Sequence, residues 1–155
     1  MATIHTPEGT RRWHVVVPHA TLLTLEGTAL SNVAYPENSN NFLVVVGPVS
    51  VQGDVAAGAY TANAATVLVQ LLYGSASGPI AANSANFTTA IAANNNFISA
   101  GGAFGNPQAN IGLITGQALA MQLINGGSEL TGGNANNQIV VEFQTIEMDG
   151  SFSQS

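Results

Sequence analysis

Gln138-Ile139-Val140-Val141-Glu142-Phe143-Gln144-Thr145-Ile146-Glu147-Met148 is the stretch that decides the fold class. It is rich in β-branched and aromatic residues and carries no Gly or Pro. As a strand it sends Val140, Glu142, Gln144 and Ile146 to one side and Ile139, Val141, Phe143 and Thr145 to the other. That alternation predicts a strand over 138–148. Similar runs lie upstream. Trp13-His14-Val15-Val16-Val17 ends at Pro18, Phe42-Leu43-Val44-Val45-Val46 ends at Gly47-Pro48, and 65–73 is closed by 74–79.

Weaker runs fill the gaps. Residues 20–25 read as a second strand, 31–41 as a loop on its turn chemistry, and 49–52 as an alternating segment. A short strand is expected at 59–62, another near 87–92 within a long ordered loop, and another at 111–115. Over 117–124, Leu119, Met121 and Leu123 alternate with Ala118, Ala120 and Gln122, which argues strand. Its rival is a helix capped by Thr115 and ended by Gly126. Asn125-Gly126-Gly127-Ser128 is a hairpin signal. The sum is eight to ten short strands with no βαβ alternation. The expected fold is all-β: a single antiparallel β-sandwich or jelly-roll barrel, with at most one or two short helices. Residues 1–12 read as an N-terminal arm, 13–148 as the β domain and 149–155 as a flexible tail. Val15, Val17, Leu43, Val45, Leu68, Leu71, Leu119, Leu123, Val141 and Phe143 are the expected core.

Composition narrows the function. Of 155 residues only 6% are charged, against about 25% in an average soluble domain. There is no Lys, Arg11 and Arg12 are the only cations, and the formal charge is −6. Phosphate-gripping nucleic-acid binding needs clustered Lys and Arg, so direct nucleic-acid binding is not expected. Electrostatic membrane-surface binding is disfavoured on the same ground. With no Cys there is no disulfide framework and no thiolate site. No apolar run reaches transmembrane length, and Met1–His5 lacks the basic start and apolar region of a secretory signal. The surface must be built from 16 Asn, 13 Thr, 11 Ser, 17 Gly and many small Ala. Such a surface repels its own copies weakly, which favours self-association.

Chemistry is sparse. His5, His14 and His19 cluster early and have Glu8 or Glu26 as possible co-ligands, but the spacing fits no metal motif and no His follows His19. No metal, cofactor or catalytic residue is therefore expected. No Gly-x-Ser-x-Gly elbow occurs. Glu129, Glu142, Glu147 and Asp149 are the acids available for glycoside chemistry. Glu142 and Glu147 have opposite parity, so one strand sends them to opposite faces, and they read as solvated. Gly101–Gly105 lacks a phosphate-loop pattern and reads as a flexible loop. Asn86-Phe87-Thr88 matches a glycosylation acceptor, a pattern expected by chance in an Asn-rich chain. Trp13, Tyr35, Tyr60 and Tyr73 are the residues that would stack on sugars. Trp13 shares the register of Val15 and Val17 and is expected in the core.

The size, short strands, missing Cys, few charges, Asn/Thr/Ser/Gly-rich loops and polar N-terminal arm together resemble the small single β-barrel major capsid proteins of membrane-containing icosahedral phages, the sphaerolipovirus group. The resemblance implies a non-enzymatic capsid subunit in a virion, building a lattice with a second, larger capsid protein above a lipid membrane. The alternative is a β-sandwich carbohydrate-binding or adhesion module that is secreted or displayed at the cell surface. An open sheet edge without Lys invites pairing between copies, so the expected partner is the chain itself, as a dimer or higher assembly. Ile4, Pro7, Arg11 and Arg12 in the arm are the expected interface residues.

Overall fold

A computed structural model describes residues 10–99 and 115–149. Ten strands and two short helices follow in chain order: β1 (Thr10–Pro18), α1 (His19–Leu22), β2 (Leu30–Ala34), β3 (Asn41–Asp54), β4 (Tyr60–Thr61), β5 (Leu68–Tyr73), β6 (Ile80–Asn83), α2 (Thr88–Ala92), β7 (Phe97–Ser99), β8 (Leu119–Ile124), β9 (Thr131–Gly132) and β10 (Gln138–Asp149). Two four-stranded sheets run β1-β10-β3-β7 and β2-β8-β5-β6, and β4 pairs with β9 in a small ribbon. Every pairing between these strands is antiparallel.

Setting the ribbon aside, the remaining eight strands pair first with last (β1 with β10), second with seventh (β2 with β8), third with sixth (β3 with β7) and fourth with fifth (β5 with β6). This is one long antiparallel ribbon rolled on itself, the strand order of a jelly roll. The two sheets do not close into a barrel among the described residues. A single parallel bridge, Val49 to Ser84, joins their margins.

The inner faces make the core. Val141 and Phe143 of β10 and Val45 and Val51 of β3 meet Leu71 of β5 and Leu123 of β8, all buried. Tyr73 crosses between the sheets, and its hydroxyl donates to the Leu43 carbonyl at 2.7 Å. That bond satisfies the one polar atom the ring carries inside, and burial pushes the phenol up to about 12.

Several sequence expectations are corrected. Residues 20–25 are not a strand: α1 and the turns after it place Leu22 and Leu25 inward, a spacing of three. The stretch 31–41 is not all loop, because β2 covers 30–34. Asn32 there takes a left-handed φ of 55°, and the pairing with β8 is irregular around it. Residues 88–92 form α2 rather than a strand, with Phe87 just before it and Ile91 within it buried one turn apart. Strands β6 and β7 lie on either side of α2.

Gly47-Pro48 does not end a strand. Strand β3 runs through it with a bulge, since Ser50 pairs with Glu142 but Val46 pairs with Gln144. Gly47 supplies the φ of 76° that the bulge needs. The Asn125–Ser128 turn forms, but β8 before it and β9 after it belong to different sheets, so it closes no hairpin. The 117–124 run is strand β8, not helix. Within the expected core, Val15 is only partly buried on edge strand β1. Leu68 is also only partly buried, because Val67, Val69, Leu71 and Tyr73 take the inward positions around β5. The expected strand at 111–115 and the loop at 101–105 lie outside the described residues, apart from Thr115 in a turn. Among the described residues no helix is long and apolar enough to cross a membrane.

Leu71→Ala removes a fully buried side chain and should cost about 2–5 kcal/mol. Leu68→Ala should cost clearly less. Urea unfolding of both variants tests this, and equal losses would place Leu68 in the core.

Candidate assembly surface

The chain has eight acidic residues and two arginines. Strand β1 starts at Thr10, so Arg11 and Arg12 belong to the sheet rather than to an arm. Alternation along β1 sends them to opposite sides. Arg11 points toward the open margin of the sandwich. Its Nη1 donates to the Tyr35 carbonyl at 3.2 Å and lies 3.7 Å from the Glu37 carboxylate. Its guanidinium sits 4.3 Å from the Trp13 ring centre, and Tyr35 meets Trp13 edge-on at 5.3 Å. The indole N–H of Trp13 donates to Thr145 Oγ1 at 2.9 Å. Trp13 thus packs against the core rim with its polar edge satisfied. Tyr60 and Tyr73 are buried, leaving Tyr35 as the exposed member of the four aromatic residues considered for sugar stacking.

Arg12 faces outward and donates to Glu142, its diagonal neighbour on β10. His14, the direct cross-strand partner of Glu142, places Nδ1 3.0 Å from the other carboxylate oxygen. The Arg12 guanidinium, then the His14 contact, hold the Glu142 carboxyl below its ordinary value.

The remaining acids are mostly used to fasten loops. Glu147 is not solvated: it is buried, and it accepts from the Glu37 and Asn38 backbone N–H groups and from the Asn41 amide. Its opposite face from Glu142 follows the strand parity, so the two acids share no site. Glu129 accepts from the N–H groups of Glu26 and Gly27. Asp149, the fourth acid considered, ends β10 opposite Asn41.

His14 and His19 go to different partners: His19 Nδ1 lies 2.8 Å from the Tyr60 hydroxyl, and His14 contacts Glu142 rather than Glu26. Among the described residues no group of three potential metal ligands occurs. His5, Glu8, Ile4 and Pro7 lie outside the described residues. Asn86 of the acceptor pattern is a structural link. Its Oδ1 accepts from the Val67 and Thr88 N–H groups, and its amide donates to the Ala65 carbonyl.

What remains is the outer face of the β1-β10-β3-β7 sheet. Cross-strand register arranges it in rows. Val16, Val140, Gln52 and Ile98 form one row across all four strands. His14, Glu142 and Ser50 form the next on one side, and Pro18, Gln138 and Asp54 the next on the other. Val16 is 49% and Ile98 71% exposed, two of the three large apolar side chains most open to solvent among the described residues. A concavity of about 400 Å³ lies at the Ile98 end, lined by Gln52, Asp54, Asn96, Ile98, Gln138 and Val140 among others. Gly53 lets this corner close on its inner side, since the Phe97 ring occupies the place a Cβ would take.

The outward face of an antiparallel sheet is ordinarily polar. Here it is mixed apolar and amide, with one ion cluster in which Arg12 and Glu142 cancel and one further carboxylate, Asp54, in the row of Pro18 and Gln138. Parity along β10 could be read from sequence, but the row could not, because it depends on the registers of β1, β3 and β7 together. Compared with known protein families and with curated proteins, the sequence matches none.

The ion cluster has a pH signature. A carboxyl held below 4.5 contributes stability above that value and loses it as pH falls through the lowered pKa. Carboxyl NMR titration should place the Glu142 midpoint below 4.5. Arg12→Gln should move it upward, and an unchanged midpoint would show that Arg12 does not hold the carboxylate.

Proposed function

We propose that the protein is a structural coat subunit, as the sequence resemblance implies, and that it associates with copies of itself. The observation that carries this reading is the outer face of the β1-β10-β3-β7 sheet. It is nearly uncharged, exposes Val16 and Ile98 in one row, and spends its only cation on an internal pair. Exposed apolar surface framed by polar groups marks sites of macromolecular contact.

The strand order supports the reading without deciding it. Jelly rolls serve as viral coat, lectin and cupin domains, and function has to be argued from the site. Cupin-like chemistry needs polar ligands between the sheets, and that space is filled here by a cluster of buried apolar side chains. A larger capsid protein and an underlying membrane are the further partners of this proposal, and the virion is its location.

A lectin-like reading draws on one observation, the half-exposed Tyr35 ring beside Arg11 and Glu37. That ring already contacts Trp13, and Arg11 covers the cluster, so a sugar would find little free aromatic face.

Size-exclusion chromatography with light scattering, followed by electron microscopy of any large species, tests the coat reading. At tens of micromolar the 15.8 kDa chain should run as a dimer or larger. The mass should change little with added salt, since few charges are available to screen. A monomer at every concentration would refute the coat reading, and a glycan-array signal abolished by Tyr35→Ala would replace it with the lectin one.

A further inference from the structure

We propose that two copies of the chain dock face to face through the β1-β10-β3-β7 sheets, about a two-fold axis that runs parallel to the strands between β10 and β3. This rests on the coat reading and names the surface through which copies first meet.

The outer face is complementary to itself. Sheets that pack face to face keep their strands within about 30° of each other and lie about 10 Å apart. An axis along the strands between β10 and β3 lays each β10 over the partner's β3, and each β1 over the partner's β7. Rows stay in register under this rotation. Gln138 then meets the partner's Asp54, and its amide N–H donates to that carboxylate. Glu142 meets the partner's Ser50, whose hydroxyl donates to it. Val140 covers the stem of the partner's Gln52. At both margins Val16 meets the partner's Ile98, with the concavity beside Ile98 as its socket.

Each acid in these rows therefore finds a donor, and each exposed aliphatic an aliphatic. A strongly charged partner would find no such match, because Arg12 is already taken by Glu142. The occupant that fits is a second copy.

The chain contains no Cys, which makes the geometry testable by crosslinking the intact protein. Val16 and Ile98 of one copy are three strand spacings apart, about 14 Å. A disulfide needs Cα atoms within about 7 Å, which neither the spacing along one face nor the about 10 Å between facing sheets allows. The double variant Val16→Cys/Ile98→Cys is therefore treated with a bifunctional thiol crosslinker long enough to join facing side chains but too short to join the two positions of one copy. With that crosslinker most of it should become a covalent dimer that stops at dimer, since a two-fold pair joins every thiol to one on the partner. Either single variant should stay largely uncrosslinked.

In parallel, Val16→Arg should lower the mass measured by light scattering, while Ala76→Arg in the distant β5–β6 turn should not. Circular dichroism and melting temperature check that the variants are folded. A ladder of higher species, crosslinking by a single variant, or no dimer band from the double variant would overturn this interface. If the unmodified chain still assembles in that case, the coat reading stands and only the surface is wrong. If the unmodified chain is monomeric, both fall.

Discussion

Strand β10 is the last element of the described chain and an interior strand of its sheet, and the rest of the architecture depends on that placement. It pairs along nine residues with β1 and along eleven positions with β3. Its inward residues Ile139, Val141 and Phe143 meet the second sheet, and its outward residues Val140 and Glu142 organise the opposite face. Without it, β1 has no partner in its sheet and β3 keeps only the three-residue contact with β7. The sheet therefore cannot be completed until the C-terminal strand arrives. The contacts that define the fold are long-range, a topology that folds slowly relative to locally connected chains.

A chain with eight acids and two arginines must satisfy its loop backbone with neutral groups. Asparagine is well suited, since its short amide both donates and accepts and carries no desolvation cost of charge. Asn125 is fully buried, accepts from the Asn63 N–H and donates to the Ser128 carbonyl. Asn96 accepts from the Val55 and Ala56 N–H groups, and Asn137 donates to the Gly58 carbonyl. The Asn richness thus has a structural account at these positions. The few carboxylates serve the same end, with Glu129 and Glu147 each collecting backbone N–H groups from a neighbouring loop.

The elements legible in the sequence were those whose period is unambiguous. The alternation over 138–148 and over 117–124 reads correctly as strand because the inward residues Ile139, Val141, Phe143, Leu119, Met121 and Leu123 are large and apolar. The two helices were missed for an identifiable reason. Each is about one turn long, and its only periodic signal is a single pair, Leu22 with Leu25 and Phe87 with Ile91. Those pairs, spaced three and four apart, were the evidence available. Turn chemistry also misled in the other direction. Asn32 and Gly47-Pro48 read as breaks, yet β2 and β3 absorb them as irregularities because neighbouring strands hold both ends. The outer-face row was not legible, since no single strand contains it. Glu147 looked solvated because its sequence neighbours do not reveal the 37–41 loop that closes over it.

The same geometry separates two ways in which copies of this chain can meet. β1 is an edge strand nine residues long with no Lys, the kind of edge that recruits a neighbour's strand. Its margin is partly occupied by its own chain, since Arg11 reaches across to the Tyr35 carbonyl and Glu37, and Trp13 and Tyr35 fill the corner between them. The cation that could have guarded the edge is instead used to fold a loop against it. The flat outer face has no such cover among the described residues and exposes Val16 and Ile98 directly. Edge pairing would meet the Arg11, Trp13 and Tyr35 cluster packed at this margin. Face packing re-pairs the Gln138, Asp54, Glu142 and Ser50 groups it desolvates and removes water from apolar side chains, and that last gain scales with area rather than with charge. In the assembly proposed for a chain this poor in charge, the face is the surface on which association would cost least.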